Sequence, residues 1–250
     1  MDTTDFAPLA HHGDVVVDAS TDAGGFYCEH CFYVAHVVAR PDTVVGFLHV
    51  PPQRSDTTQQ RRHRHTRLVV AAALRGLLNE LAGDVDVLLT GFEPWGEVTR
   101  NPSGDFVGHV GNLDAAMTVV GASGRGRPRR TNNDGWTARD YRVDGRRVSL
   151  WPHVLPVDDG AIDGGPRSVQ AGIAACRPHV VLSLGVHRRT DRHRVEHIAS
   201  DRHLRRSAAG FAHDVSAPAG HTLPANDALA RAVVSGWRWA TASSSSWSAP

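Results

Sequence analysis

The chain has 250 residues, 27 arginines, no lysine, 26 acidic residues and a net charge of +1. That balance gives no electrostatic case for nucleic acid, and the missing lysine excludes Schiff-base chemistry and a lysine-bearing phosphate loop. The longest apolar stretch, Leu68 to Leu74, falls far short of a membrane span, and no basic-then-apolar leader opens the sequence. Cysteines stand only at 28, 31 and 176, an odd and sparse set that suits a reducing, cytoplasmic setting. One compact domain is the default at this length.

In chain order, residues 1–13 read as a loose polar tail. Val15–Val17 begins a strand that runs into Ala23-Gly24-Gly25-Phe26-Tyr27-Cys28, a small-residue turn. Residues 29–39 contain neither Gly nor Pro, so a helix is expected to start at or near Cys28. Val44–Leu48 is the next strand, leading into His49-Val50-Pro51. The tract Pro51–Arg67, rich in Pro, Gln, Arg and His, reads as a solvated linker, and Leu68–Leu81 as a helix stopped before Gly83. Val85–Leu89 is a strand, and Asn101-Pro102 supplies an N-cap with proline at the first helical position. Ala122–Gly135 reads as a loop-like insertion, Val148–Leu155 as a strand, and Arg167–Cys176 as a helix with Val169, Ile173 and Cys176 on one face. Val180–Leu184 is the last clear strand, and the Ser-rich stretch 240–250 reads as a second loose tail. Unbroken apolar strands alternating with helices predict an α/β fold, a three-layer sandwich around a mostly parallel sheet.

The chemistry-bearing pair is Cys28 and His49. Unpaired N–H groups at a helix start favour a thiolate, and thiolate with imidazole is the pairing that covalent acyl transfer needs. Two bland readings stand beside this one: a buried structural thiol and a core histidine. Cys28-Glu29-His30-Cys31 also has the C-x-x-C spacing of a thiol redox pair, and no second such motif completes a zinc site.

Ser20-Thr21-Asp22-Ala23-Gly24-Gly25-Phe26-Tyr27-Cys28 and Gly46-Phe47-Leu48-His49-Val50-Pro51 resemble the cysteine and histidine segments of the pyroglutamyl peptidase I (pyrrolidone-carboxylate peptidase) family. Leu88-Leu89-Thr90-Gly91-Phe92-Glu93-Pro94-Trp95-Gly96 with Asn101-Pro102-Ser103 resembles its opening strand and loop, Leu155-Pro156-Val157 a central strand, and Glu196-His197-Ile198-Ala199-Ser200-Asp201 the segment around its catalytic glutamate. The order differs from the family's: residues 14–82 resemble its closing third and 84–239 its opening two-thirds, as in a circular permutant.

The resemblance implies a phosphorylase/hydrolase-like fold and a cytoplasmic cysteine peptidase that removes N-terminal pyroglutamyl residues from peptides. It implies no metal or cofactor, and often a homotetramer. Cys28 would be the nucleophile, His49 the base, Glu196 the residue that orients His49, and Arg206 an oxyanion contact. Phe92, Trp95 and Phe26 would wall the lactam pocket. Where the family often has a glutamine, this chain has Val186, which cannot hydrogen-bond through its side chain and implies weak substrate recognition. His197 and Asp201 also depart from the family pattern. A catalytically impaired relative that binds peptides or partners, and a redox protein using Cys28 and Cys31, are the alternatives.

Overall fold

The computed structural model describes residues 9–21, 27–52, 56–96, 99–130, 136–187, 192–197, 199–200, 222–223 and 227–244. Strands β1 (Ala10–His12), β2 (Val15–Ser20), β3 (Val44–Val50), β4 (Val85–Phe92), β5 (Arg127–Arg130), β6 (Thr137–Val143), β7 (Arg146–Leu155), β8 (Val180–Val186) and β9 (His193–Glu196) form one sheet. Its order is β1-β2-β9-β3-β8-β4-β7-β6-β5. A separate short ladder pairs β10 (Ala199–Ser200) with β11 (Thr222–Leu223).

The sheet is mixed rather than mostly parallel. A central block, β3-β8-β4-β7, runs parallel throughout. On one side β9 is antiparallel to β3 and parallel to β2; on the other, β6 and β5 continue as antiparallel strands. The apolar runs read from sequence are the buried centre, and the more polar flanking strands carry the reversals.

Helices α1 (Tyr27–Val38), α2 (Asp56–Glu80), α3 (Pro102–Gly108), α4 (Val110–Val120), α5 (Val169–Cys176) and α6 (Asp227–Ser244) cover the sheet. Strand alternation divides the core in two. Val87 and Leu89 of β4, with Leu182 and Leu184 of β8, join α2, α4 and α6 in one buried cluster. Leu88, Phe92 and Val181 join α1 and α5 in the other. Local signals place the shorter helices. The Asn101 side chain accepts from the Ser103 N–H at 3.1 Å, Pro102 follows it, and the Ser168 hydroxyl accepts from the Ala171 N–H at 3.1 Å. Helix α5 ends at Arg177, which adopts a left-handed φ of 45° before Pro178.

Four stretches differ from expectation. Residues 10–12 pair with β2 in a hairpin instead of trailing loosely. Helix α2 starts at Asp56, so most of the presumed linker is helical; no Gly or Pro stands between Asp56 and Arg67, and Gln and Arg are good helix formers. Within the presumed insertion, 127–130 form β5 against β6. Helix α6 continues to Ser244, into the presumed tail, carried by alanines at 240 and 242. Among the described residues no helix is long and apolar enough to cross a membrane.

Helices α2 and α6 approach with almost no side chain between them. A Cβ placed on Gly76 would lie 1.9 Å from the Ala232 carbonyl oxygen, and one on Gly236 would lie 1.9 Å from that of Ala72. Neither backbone can retreat, because Ala72, Ala73, Ala232 and Val233 are packed in the core. Gly76→Val and Gly236→Val are each expected to destabilise the fold by at least about 1–3 kcal/mol, the usual cost of overpacking. Urea unfolding monitored by circular dichroism measures this, and an unchanged midpoint for both variants would be incompatible with the contact.

Candidate active site

Four adjacent strands, β2-β9-β3-β8, assemble the site. His49 is the penultimate residue of β3 and lies in register with Gly185, the penultimate residue of β8. Ligand sites in open α/β sheets form at such carboxyl ends. On the other side of β3, Glu196 is in register with Phe47. Phe47 and His49 share a face, so Glu196 is the diagonal neighbour of His49 and reaches it across the ladder. The His49 Nδ1 and Glu196 Oε1 are 2.7 Å apart, with the side chains 2% and 0% exposed.

Cys28 comes to the same face from above. It is the second residue of α1 and half-buried, and it packs on the cluster that holds Phe47 and Phe92. The Cys28 thiol comes close enough to interact with the His49 ring and favours its protonated form. Gly185 makes room for it: a Cβ there would stand 2.8 Å from Sγ and 2.6 Å from the Phe47 ring. Any side chain at 185 would displace the thiol.

Burial pushes the His49 imidazole down, but hydrogen bonds to Cys28 and Glu196 and the charges of both outweigh it and raise the ring to about 9 from an ordinary 6.5. The imidazolium is therefore favoured at neutral pH. Among the described residues Glu196 Oε2 is buried without a hydrogen-bond partner, so His49 is the side chain on which this carboxylate depends.

The other expected residues divide. Phe92, the last residue of β4 and 2% exposed, lies on the Cys28 face in the shared apolar cluster. Trp95 is half-buried three residues further on. Phe26, Arg206 and Asp201 lie outside the described residues. Gly185 faces the thiol, and alternation along β8 turns the next side chain, that of Val186, to the opposite face, away from the expected lactam pocket.

Residues not anticipated from the sequence complete the surroundings. The His187 ring sits edge-on to His49 with centroids 5.4 Å apart, and the His187 backbone N–H donates to the Val50 carbonyl at 3.3 Å. Phe47 contacts the other side of the imidazole at 4.9 Å. The Tyr27 hydroxyl donates to Asp159 Oδ1 at 2.8 Å, tying the start of α1 to the short turn Asp159–Ala161. A histidine directly after a Gly-Val strand end was the available signal for His187, but it lies in an Arg/His-rich segment that reads as solvated.

Cys31 lies one turn inside α1 with 0% exposure, its thiol 3.9 Å from the Ala161 carbonyl oxygen. Burial, reinforced by Cys28, pushes it well above the ordinary thiol range. A thiol held protonated and shut from solvent is a poor partner for disulfide exchange. Among the described residues, no three His, Cys, Asp or Glu side chains converge as a metal site.

The chain matches no family model, no curated protein and no solved structure. The site therefore has to be read from its own geometry.

A histidine raised on folding contributes stability that is full below its unfolded value of 6.5 and lost as pH rises through about 9. The His49 ring is expected to remain protonated at pH 8 in nitrogen-15 NMR spectra. Glu196→Gln should lower its titration midpoint and flatten the loss of urea stability between pH 7 and 10. A ring that is neutral at pH 7 in the native chain contradicts the arrangement.

Proposed function

We propose that this chain is a cysteine hydrolase of the pyroglutamyl peptidase I type in circularly permuted order, acting on peptides with an N-terminal pyroglutamyl residue. The observation that carries the reading is the continuous Cys28–His49–Glu196 array, with its imidazole buried at a strand end. Nucleophile, base and orienting carboxylate in hydrogen-bonded sequence are the working parts of covalent acyl transfer. The two buried clusters, one against α1 and α5 and the other against α2, α4 and α6, support a three-layer sandwich. Permutation fits the short passage from α2 to β4, within the normal range for such a connection.

In this mechanism the Cys28 thiolate attacks the pyroglutamyl carbonyl and forms a tetrahedral intermediate. The Cys28 backbone N–H, at the start of α1, and Arg206 stabilise its oxyanion. The imidazolium of His49 gives its proton to the leaving amine as the C–N bond breaks, which leaves a thioester. Neutral His49 then takes a proton from water as it attacks, and the C–S bond breaks to release pyroglutamate and thiolate. Glu196 keeps Nδ1 protonated and Nε2 directed at sulfur throughout. Phe92, Trp95 and Phe26 supply apolar walls for the lactam ring, which is flat and uncharged.

Purified protein is expected to release fluorophore from a pyroglutamyl amide. Iodoacetamide near neutral pH should modify Cys28 before Cys31 or Cys176 and abolish turnover. A Cys28→Ala protein with full activity would end the proposal. Specificity should follow the altered surroundings of the imidazole. His187→Ala is expected to reduce kcat/KM by about 2- to 10-fold, the worth of one aromatic edge contact of roughly 0.5–1.5 kcal/mol. Val186→Gln, facing away from the thiol, should leave kcat/KM within about twofold, well under the roughly 1.4 kcal/mol that a tenfold change requires. A large gain in the Val186→Gln enzyme would place that side chain in the pocket after all.

A further inference from the structure

Far from the thiol, the hairpin turn between β1 and β2 faces the first half of α2 across a concavity of about 240 Å³. His12, Asp14, Arg64, His65 and Arg67 supply its polar lining, and Val15, Leu68 and Val119 its apolar floor. We propose that this concavity binds a small phosphate-class oxyanion, a free phosphate or phosphate monoester, between Arg64 and Arg67.

The argument begins with charge. Asp14 is the one acidic residue in the lining, and it is already engaged: Arg61 forms an ion pair with it, and His65 Nε2 lies 3.3 Å from its Oδ1. Among the described residues no carboxylate pairs with Arg64 or Arg67. These two are three apart on α2 and so are neighbours on one helix face. Arg67 is half-buried, and its Nε donates to the His63 carbonyl at 3.2 Å, which fixes the stem and leaves the terminal nitrogens for another acceptor. Burial and the charge of Arg64 both lower Arg67 from its ordinary value, the sign of two cations held together without compensation.

Ligand class follows from shape and valence. Guanidinium forks match tetrahedral oxyanions in a bidentate manner. Two uncompensated cations favour a dianion over a monocarboxylate. The volume is below the roughly 300–1,000 Å³ typical of sites for drug-sized ligands, so the occupant is small. His12 belongs to the same lining. The site is independent of the thiol chemistry, so it stands or falls separately from the peptidase reading.

The test uses the full chain at constant ionic strength, held with sodium chloride. Inorganic phosphate, pyrophosphate and glycerol phosphate are titrated by calorimetry and by thermal unfolding, with acetate as the monoanion control. Saturable binding of the phosphates and none of acetate is expected. Arg64→Gln, an exposed substitution that leaves the fold undisturbed, should weaken phosphate at least about tenfold, the worth of a lost charge-assisted pair. Arg64→Gln/Arg67→Gln should remove binding. A thermal shift matched by chloride alone, or undiminished in Arg64→Gln, overturns the proposal. Vesicles containing phosphatidic acid and a short oligonucleotide are the remaining arms. Binding to either of these without binding to the free phosphates overturns it in favour of a membrane or nucleic-acid surface.

Discussion

The contact between His49 and Glu196 is the constraint around which the rest of the structure is arranged. A polar pair at 2% and 0% exposure is costly to strip of water, and the cost is met only if geometry and further partners are right. That requirement explains the local design. β9 is short and inserted antiparallel beside β3, so that Glu196 reaches diagonally to Nδ1. Gly185 lacks a side chain, so that the sulfur can sit beside the strand end that carries His49. Phe47 and His187 both pack against the imidazole ring. Each of these features has little purpose without the buried pair.

The second constraint is the sheet's own bulk. Its parallel centre has to be covered on both faces, and the covering differs in kind. On the side of α1 and α5 the packing is aromatic and sulfur-rich, with Phe32, Phe47, Phe92, Trp151 and two cysteines. On the other side it is aliphatic and close, with alanines and glycines bringing α2 and α6 into backbone contact. The first arrangement surrounds the thiol and the imidazole. The second holds the two longest helices together.

Where burial writes a periodic signal, the sequence was legible. β3, β4, β7 and β8 were visible as apolar runs, and α3 and α5 through Asn101-Pro102 and the Val169/Ile173/Cys176 stripe. Cys28 and His49 could be paired because each sits at an element boundary. Elements with polar surfaces were missed. The first half of α2 has a helical backbone beneath Arg and His side chains, and β9 is a strand of only four residues in an arginine-rich stretch. Strand direction was also hidden, since an apolar run records burial and not orientation. Val186 shows the limit most plainly: its spacing from Gly185 was evident, but which face it occupied depended on register with Val50.

The passage from α2 into β4 divides the reactive groups unequally along the polypeptide. Cys28 and His49 precede it, whereas the carboxylate lies far beyond, 147 residues after the imidazole. During vectorial synthesis the thiol and the imidazole leave the ribosome long before their counter-charge exists. The nascent chain therefore carries a histidine without its carboxylate until β9 adds to the growing sheet. The buried contact between His49 and Glu196 thus arrives late, with one short strand.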